Sequence, residues 1–548
     1  MAGDTMNASS SSAPAAGEVA SPLWTPVGDI EAAIRSLHDS RNRPRRIPLA
    51  ARRALISQIK KFLVERAPEL QEAEWADLRR PKPYHDIVRG NCVATCDWYL
   101  NYLSSGASDD ENVGEAEANT YSKGGQDKDL IFDSSTFVRS ETTMKKAPIF
   151  SAASTASSTS SSSSSCGSMI PSAPAPGSRA EAAFVREEAK GVALVIGTWN
   201  FPLPLHIKPL VTAIAAGCPV VLKLNEICHE TSCAMQKGLK EYVDENFVRT
   251  VFGAVEHTTE LLRHRFGHIF YTGNTFVGRI IYKAAAEHLT PVTLELGGKN
   301  PVIILPSANL RTCVRKLVDA KIQNVGQFCV SPDHVYLPRS LLPEFRQLIR
   351  DTCLEFLGEN PQASPRYARL VSRRHFERVH EMLKDAMSSA SEVENLAPYD
   401  SVSSADATDR YIAPSFLLGA SASSKLRREE VFGPLAAVNV YDNLEEDVLD
   451  ASSSTEIRDC GEPLALYVFG DTETDKENIE AVLSSIRSGG VAVNDCIVHM
   501  LGETLPFGGV GTSGFGSYRG DWGYRSFTHE RAVMQFHKDD LHPRLAPA

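Results

Sequence analysis

The chain has 548 residues, too many for one simple core, so two or three domains are expected. A formal net charge of -11, with no basic stretch interleaved with aromatics, argues against a nucleic-acid partner. The cysteines are irregularly spaced, and the nearest pair, Cys92 and Cys96, has no second pair or close histidine. No disulfide framework and no metal site are expected, and the thiols read as reduced in a cytoplasmic setting.

Residues 1–22 lack a basic start followed by an apolar stretch and read as a disordered tail, not a signal peptide. Residues 23–103 carry apolar residues at three and four spacing, as in "IEAAIRSLHDS" and "ALISQIKKFLVERAPELQEAEWADL", and are expected to be helical, with Asp29 as a cap. Residues 104–182 are rich in Ser, Gly and acids and include an unbroken serine run, Ser160 to Ser165. Such a segment cannot repay its ordering entropy and reads as a low-complexity insertion. From Gly191 short apolar runs alternate with helical segments: "GVALVIG", "PVVLKL", "HIFYTG", "PVTLEL" and "PVIIL". That alternation predicts a parallel α/β sheet over 183–295 and a second α/β domain over 296–495, with a surface loop within 396–425. Residues 496–548 complete the chain. The longest apolar run, "LVTAIAAGCPVVL", is too short and too interrupted to span a bilayer, and the final residues "HPRLAPA" are polar. No transmembrane anchor is expected, which leaves peripheral membrane contact open.

Three residues are candidates for chemistry. Cys329 stands in "NVGQFCVSPD", where Gly326 permits close backbone approach and Gln327 and Ser331 read as too polar for a core. Taken alone, it is as readily a structural thiol as a nucleophile. Asn200, between a strand and a proline-opened segment, is either a turn former or an oxyanion donor. Glu295, at the end of an apolar strand, is either ion-paired or used. No G-x-G-x-x-G string is present, but Gly273 and Gly278 flank a strand-to-helix junction able to face a pyrophosphate. Lys223 and Glu226 follow another strand, where α/β sheets bind ligands.

Together "TWNFP", "LELGGKNP", "GQFC", "EEVFGP" and "LPFGGVGTSGFGSYRG" resemble, in order, the motifs of the aldehyde dehydrogenase superfamily. The block "SYRGDWGYRSFTHERAV" is most similar to its class 3 and fatty-aldehyde branch, which includes fungal enzymes oxidising apocarotenals to carotenoid acids. The resemblance implies a Rossmann-type cofactor domain, an α/β catalytic domain and a small oligomerisation arm in a homodimer. It places Cys329 as nucleophile, Asn200 as oxyanion amide and Glu295 as general base. It puts Lys223 and Glu226 at the adenosine ribose, Gly273, Asn274 and Gly278 at the pyrophosphate turn, and Glu430 and Phe432 at the nicotinamide side. It implies NAD as cofactor, with NADP as alternative, and a lipophilic aldehyde as substrate, either an apocarotenal or a long-chain fatty aldehyde. A coenzyme A-acylating enzyme is the more distant reading. Phe328, Asn274, Asn300 and Thr198 depart from the residues most frequent in the family, as does the insertion.

Overall fold

The computed structural model describes residues 24–39, 46–105, 180–450 and 456–536. The expected tail 1–22 and all but the ends of the expected insertion 104–182 lie outside them.

The apolar runs become two stacked-helix sheets. In the first, Ala193–Ile196 sits centrally, flanked by Val220–Leu224 and then Val248–Phe252 on one side, and by His268–Thr272 and then Val292–Glu295 on the other. These five strands are parallel. The chain works outward one way, returns, and works outward the other way. The reversal lies between Ala193–Ile196 and His268–Thr272, the crevice where open α/β sheets take ligands. Val248–Phe252 escaped the sequence reading because it is an edge strand, with Arg249 and Thr250 only partly buried, so no continuous apolar run announces it. A short antiparallel strand from the C-terminal signature, Gly514–Phe515, completes the sheet beside Glu295.

The second sheet has seven strands, in the order Gly490–Val493, Ala465–Phe469, Asn300–Ile304, Pro332–Pro338, Leu435–Tyr441, Ser415–Leu418 and Glu394–Asn395. All pairings but the last are parallel. Ala180–Ala189 and Thr528–Phe536 form a separate antiparallel ribbon, with Val185 opposite Ala532.

The helix Pro202–Ala215 is the pivot of the first sheet's packing. Most of it is buried, against the first sheet and the helices Leu49–Glu65, Lys82–Ser104 and Gly520–Phe527. Its apolar residues recur on every face, which only a helix enclosed by others can afford. Pro202 opens it at a position where the missing N–H costs nothing. The first helix, Val27–His38, is opened by Pro26 without a side-chain cap, so the expected cap at Asp29 is not formed. Asp29 instead lies in the first turn, where it favours the helix dipole. Trp98, on the helix Lys82–Ser104, stacks on Tyr102 at 5.1 Å. Among the described residues no helix is long and apolar enough to cross a membrane, and no group of side chains is set to hold a metal ion.

Candidate active site

Cys329 follows a backbone turn that few sequences tolerate. Asn324, Val325 and Gly326 hold φ of 47°, 48° and 71°, three successive left-handed residues ending the helix Leu310–Ile322. For Val325 this is a steric penalty, because the β-branched side chain crowds the backbone. Gly326 is required twice over, since a Cβ there would lie 2.1 Å from the Gly433 carbonyl oxygen. Gln327 and Ser331, expected outside the core, are instead buried, at 0% and 2% exposure. Gln327 is tolerated because it is fully bonded. Its amide donates to Asn324 O at 3.1 Å and Arg369 O at 3.0 Å, and accepts from Val371 N at 2.9 Å. Asn300, a departure from the family pattern, ties the far side of the turn. Its Nδ2 donates to Cys329 O at 2.9 Å and Ser331 O at 3.0 Å, and its Oδ1 accepts from Ala465 N at 2.9 Å.

Asn200 is brought to the same place. Its Nδ2 donates to Gln327 O at 3.2 Å, leaving a second N–H, and its Oδ1 is buried without a partner. Its carbonyl accepts from Arg80 at 2.5 Å and from Asn324 Nδ2 at 2.8 Å. Arg80 is itself fixed by Glu74 at 2.8 Å, which also meets His85 at 2.8 Å. The Phe201 and Phe328 rings pack at 4.4 Å, joining the Asn200 and Cys329 segments directly. Phe328, another departure, is thus the contact between them.

Glu295 ends its strand between Thr272 and Gly514 and is 3% exposed, with neither carboxyl oxygen hydrogen-bonded. Burial pushes its carboxyl well above the usual range, opposed by the Arg519 charge. Cys329 is half-buried, and burial, with Glu430 and Glu295 close by, pushes its thiol up to about 12.

Glu430 and Phe432 approach from the segment after Lys425–Arg428. The Glu430 carboxyl accepts from Gly298 N at 3.2 Å, in a space that a Cβ on Gly297 would fill at 2.2 Å. Burial, then repulsion from Asp333, raises it to about 8. Asp333 accepts from Val431 N at 2.9 Å and is flanked by Lys321 at 3.3 Å and Lys299 at 3.9 Å. These lysines bond the same segments, Lys299 to Leu426 O at 2.7 Å and Lys321 to Pro332 O at 2.8 Å. Phe432, with φ of 45°, packs against Trp199 at 5.3 Å. Sequence reasoning missed Arg80, Asn324, Asp333 and both lysines, because nothing in their local spacing marks them as partners.

On the far side of the crevice, Lys223 Nζ lies 3.1 Å from Glu226 Oε2 and 2.7 Å from Leu224 O. Burial lowers its ammonium, and Glu226 opposes that. Asn274 caps the helix Thr275–Glu287, accepting from Val277 N at 2.9 Å. Gly273 has no room for a side chain, since a Cβ would meet the Tyr271 hydroxyl at 2.1 Å, and Gly278 packs on Leu296. Thr272 Oγ1 is buried without a partner at this crevice. A capped helix start, a cation–carboxylate pair beyond the neighbouring strand and an unsatisfied hydroxyl fit a nicotinamide dinucleotide.

The sequence profile of the aldehyde dehydrogenase family matches residues 143–533. The chain belongs to the aldehyde dehydrogenase family. It is 41% identical over 352 residues to aldehyde dehydrogenase family 3 member A2 of Rattus norvegicus, covering 64% of this chain and 69% of that one. It is 37% identical over 359 residues to the dimeric NADP-preferring aldehyde dehydrogenase of Canis lupus familiaris, covering 66% and 75%. The solved structure of the substrate-bound state of Staphylococcus aureus AldH superimposes with a TM-score of 0.76 at 26% identity, over 95% of this chain and 96% of that one. The aldehyde dehydrogenase fold thus extends across nearly the whole chain.

Proposed function

We propose that this aldehyde dehydrogenase uses NAD to oxidise a lipophilic aldehyde to its carboxylic acid, with Cys329 as nucleophile, Asn200 as oxyanion donor and Glu295 as base. The observation that carries this is their convergence at one strand-end crevice, with unpaired hydrogen-bonding atoms on Asn200 and Glu295. Cys329 gives its proton to solvent and its Sγ bonds to the aldehyde carbon as the C=O π pair moves to oxygen, giving a thiohemiacetal whose oxyanion accepts from the second Asn200 N–H and the Cys329 backbone N–H. Bound NAD supplies the hydride acceptor that turns this adduct into a thioester. Glu295 then takes a proton from water, the hydroxide oxygen bonds to the acyl carbon, the C–S bond breaks, and Cys329 sulfur leaves with the electron pair to be reprotonated. A glutamate in this position favours hydrolysis over transfer to coenzyme A.

Lys223, Glu226, Gly273, Asn274 and Gly278 hold the adenosine and pyrophosphate end in this reading, and Glu430 and Phe432 the nicotinamide end. The Glu226 carboxylate repels a 2′-phosphate and favours NAD over NADP. Phe201 and Phe328 beside the thiol suit an apolar acyl chain, either a fatty aldehyde or an apocarotenal. The exposed apolar side chains Phe276, Ile280 and Tyr282, with Phe515 at 5.1 Å from Tyr282, support a homodimer.

Purified protein with NAD and a chain-length series of fatty aldehydes, alongside apocarotenals, tests the reading. NADH must form with at least one of them and vanish in Cys329→Ala. A Cys329→Ala variant with full activity refutes the mechanism, and a rate limited to short polar aldehydes refutes the substrate class.

A further inference from the structure

Arg80 takes no part in the steps above, yet its guanidinium is built into the Asn200 segment. Glu74, Arg80 and His85 are all buried, at 0%, 2% and 1% exposure. Arg80 Nη2 donates to Asn200 O at 2.5 Å, and Nη1 donates to Glu74 Oε1 at 2.8 Å. The other Glu74 oxygen meets His85 Nδ1 at 2.8 Å. The planar cation also lies over the Phe201 ring at 4.5 Å, and that ring packs on Phe328, next to the thiol. Desolvation offsets the attraction in a buried ion pair, so stability alone is a weak reason to place one here. The Asn200 carbonyl supplies a better one. It has two lone pairs, and both are taken by side chains, Arg80 and Asn324 Nδ2 at 2.8 Å. The peptide plane after Asn200 is thereby pinned from two sides. The Asn200 side chain itself has one long bond, Nδ2 to Gln327 O at 3.2 Å, and an Oδ1 without a partner. Its direction is set mainly by the backbone that carries it.

We propose that Arg80 is a positioning residue for the oxyanion donor: with Glu74 and His85 behind it, it fixes the Asn200 backbone so that the free amide N–H is aimed at the oxygen of the tetrahedral adduct on Cys329. A preorganised donor helps only where the oxyanion forms, and a displacement of about 1 Å costs about 10²-fold in rate. Lysine in place of Arg80 keeps the charge beside Glu74. It has no planar fork to serve Glu74, the Asn200 carbonyl and the Phe201 face at once. The proposal rests on Asn200 being the oxyanion donor.

The test is a double-mutant cycle on acylation of Cys329, read as the burst of p-nitrophenolate from p-nitrophenyl acetate without cofactor. Neither the aldehyde nor the dinucleotide enters that readout. Arg80→Lys should slow the burst by about tenfold to a hundredfold. Alkylation of Cys329 by iodoacetamide, which forms no oxyanion, should stay near the wild-type rate in the same variant. Asn200→Ala should slow the burst by about 10²–10³-fold. Adding Arg80→Lys to Asn200→Ala should then change little, because Arg80 acts through that amide. An equal fold loss in both backgrounds makes Arg80 a general structural support and overturns the proposal, as does a wild-type burst in Arg80→Lys. Should Arg80→Lys not fold, the cycle is run with Glu74→Gln, which keeps an acceptor for Nη1 and removes the charge; equal losses in both backgrounds, or no loss, overturn the proposal there too. A full burst in Asn200→Ala instead refutes the oxyanion assignment, a separate failure.

Discussion

Replacing Asn300 by alanine should loosen the Cys329 turn more than any other single amide change near it. Asn300 is 1% exposed and satisfies three backbone groups: Cys329 O at 2.9 Å, Ser331 O at 3.0 Å and Ala465 N at 2.9 Å. Ser331 and Ala465 are buried, which keeps water from replacing the lost amide there. A net hydrogen bond contributes about 1 kcal/mol, and a group left dry costs up to about 3 kcal/mol, so Asn300→Ala should cost at least about 3 kcal/mol. Asn300→Asp should be no better. It keeps an acceptor for Ala465 N but turns a second oxygen on two carbonyls and buries a charge. Urea unfolding followed by fluorescence measures the loss, and the rate of Cys329 alkylation by iodoacetamide measures the local loosening. An Asn300→Ala protein within about 1 kcal/mol of wild type, with unchanged alkylation, would refute this account of how the turn is held.

Gly326→Ala and Gly358→Ala form a matched pair. Both glycines have positive φ, 71° and 74°, but a Cβ at 326 meets the Gly433 carbonyl at 2.1 Å while one at 358 meets nothing within 4 Å. Gly358→Ala should cost only the backbone penalty of about 1–2 kcal/mol, and Gly326→Ala should cost more and depress kcat/KM; equal stability losses would remove the clash from the explanation. Alkylation of Cys329 in the cofactor-free enzyme should climb with pH without levelling off below pH about 9, because the thiol is pushed up to about 12; a plateau near neutrality would contradict it. For Glu503, burial works against ionisation, but Lys208, Arg519 and Thr95 overcome it and hold the carboxyl at about 2. A depressed carboxylate contributes its stability above the unfolded value and loses it as pH falls from about 4.5 towards about 2. Glu503→Gln should therefore be destabilising at pH 7 and converge with wild type in acid. The shift alone corresponds to about 3 kcal/mol. Lys208 points the other way, with burial and Arg519 lowering its ammonium to about 8, so the net loss should be smaller than that. Asp333→Asn leaves the ammonium groups of Lys299 and Lys321 without their carboxylate and should cost about 3–5 kcal/mol in thermal or urea unfolding; a loss under 1 kcal/mol would show the lysines to be held by their carbonyl bonds alone.

The central strands were legible because parallel strands covered on both faces are continuous apolar runs, and Val220–Leu224 is one. Val248–Phe252 was not, because on this edge strand the partly exposed Arg249 and Thr250 interrupt the apolar run. Cys329, Asn200 and Glu295 stand out as candidates only together, through the motifs around them. Their supports were not readable at all. Gln327 looks like a surface residue until its bonds to Asn324, Arg369 and Val371 are seen, and those partners come from two separate stretches of chain. Arg80 reaches Asn200 across 120 positions, a separation that no local pattern encodes. Arg519 has an unremarkable place in the signature, and only its missing hydrogen bonds set it apart.

The close approach of Gly326 to the Gly433 carbonyl makes one wall serve two tenants. Gly433 continues the segment carrying Glu430 and Phe432, and Gly326 begins the turn carrying Cys329. With no slack between those backbones, a ligand that displaces residues 430–433 must also displace the Cys329 turn. Thermodynamic reciprocity then fixes the converse: whatever factor a bound dinucleotide imposes on the affinity of Cys329 for a reversible thiol ligand, that ligand imposes on the dinucleotide.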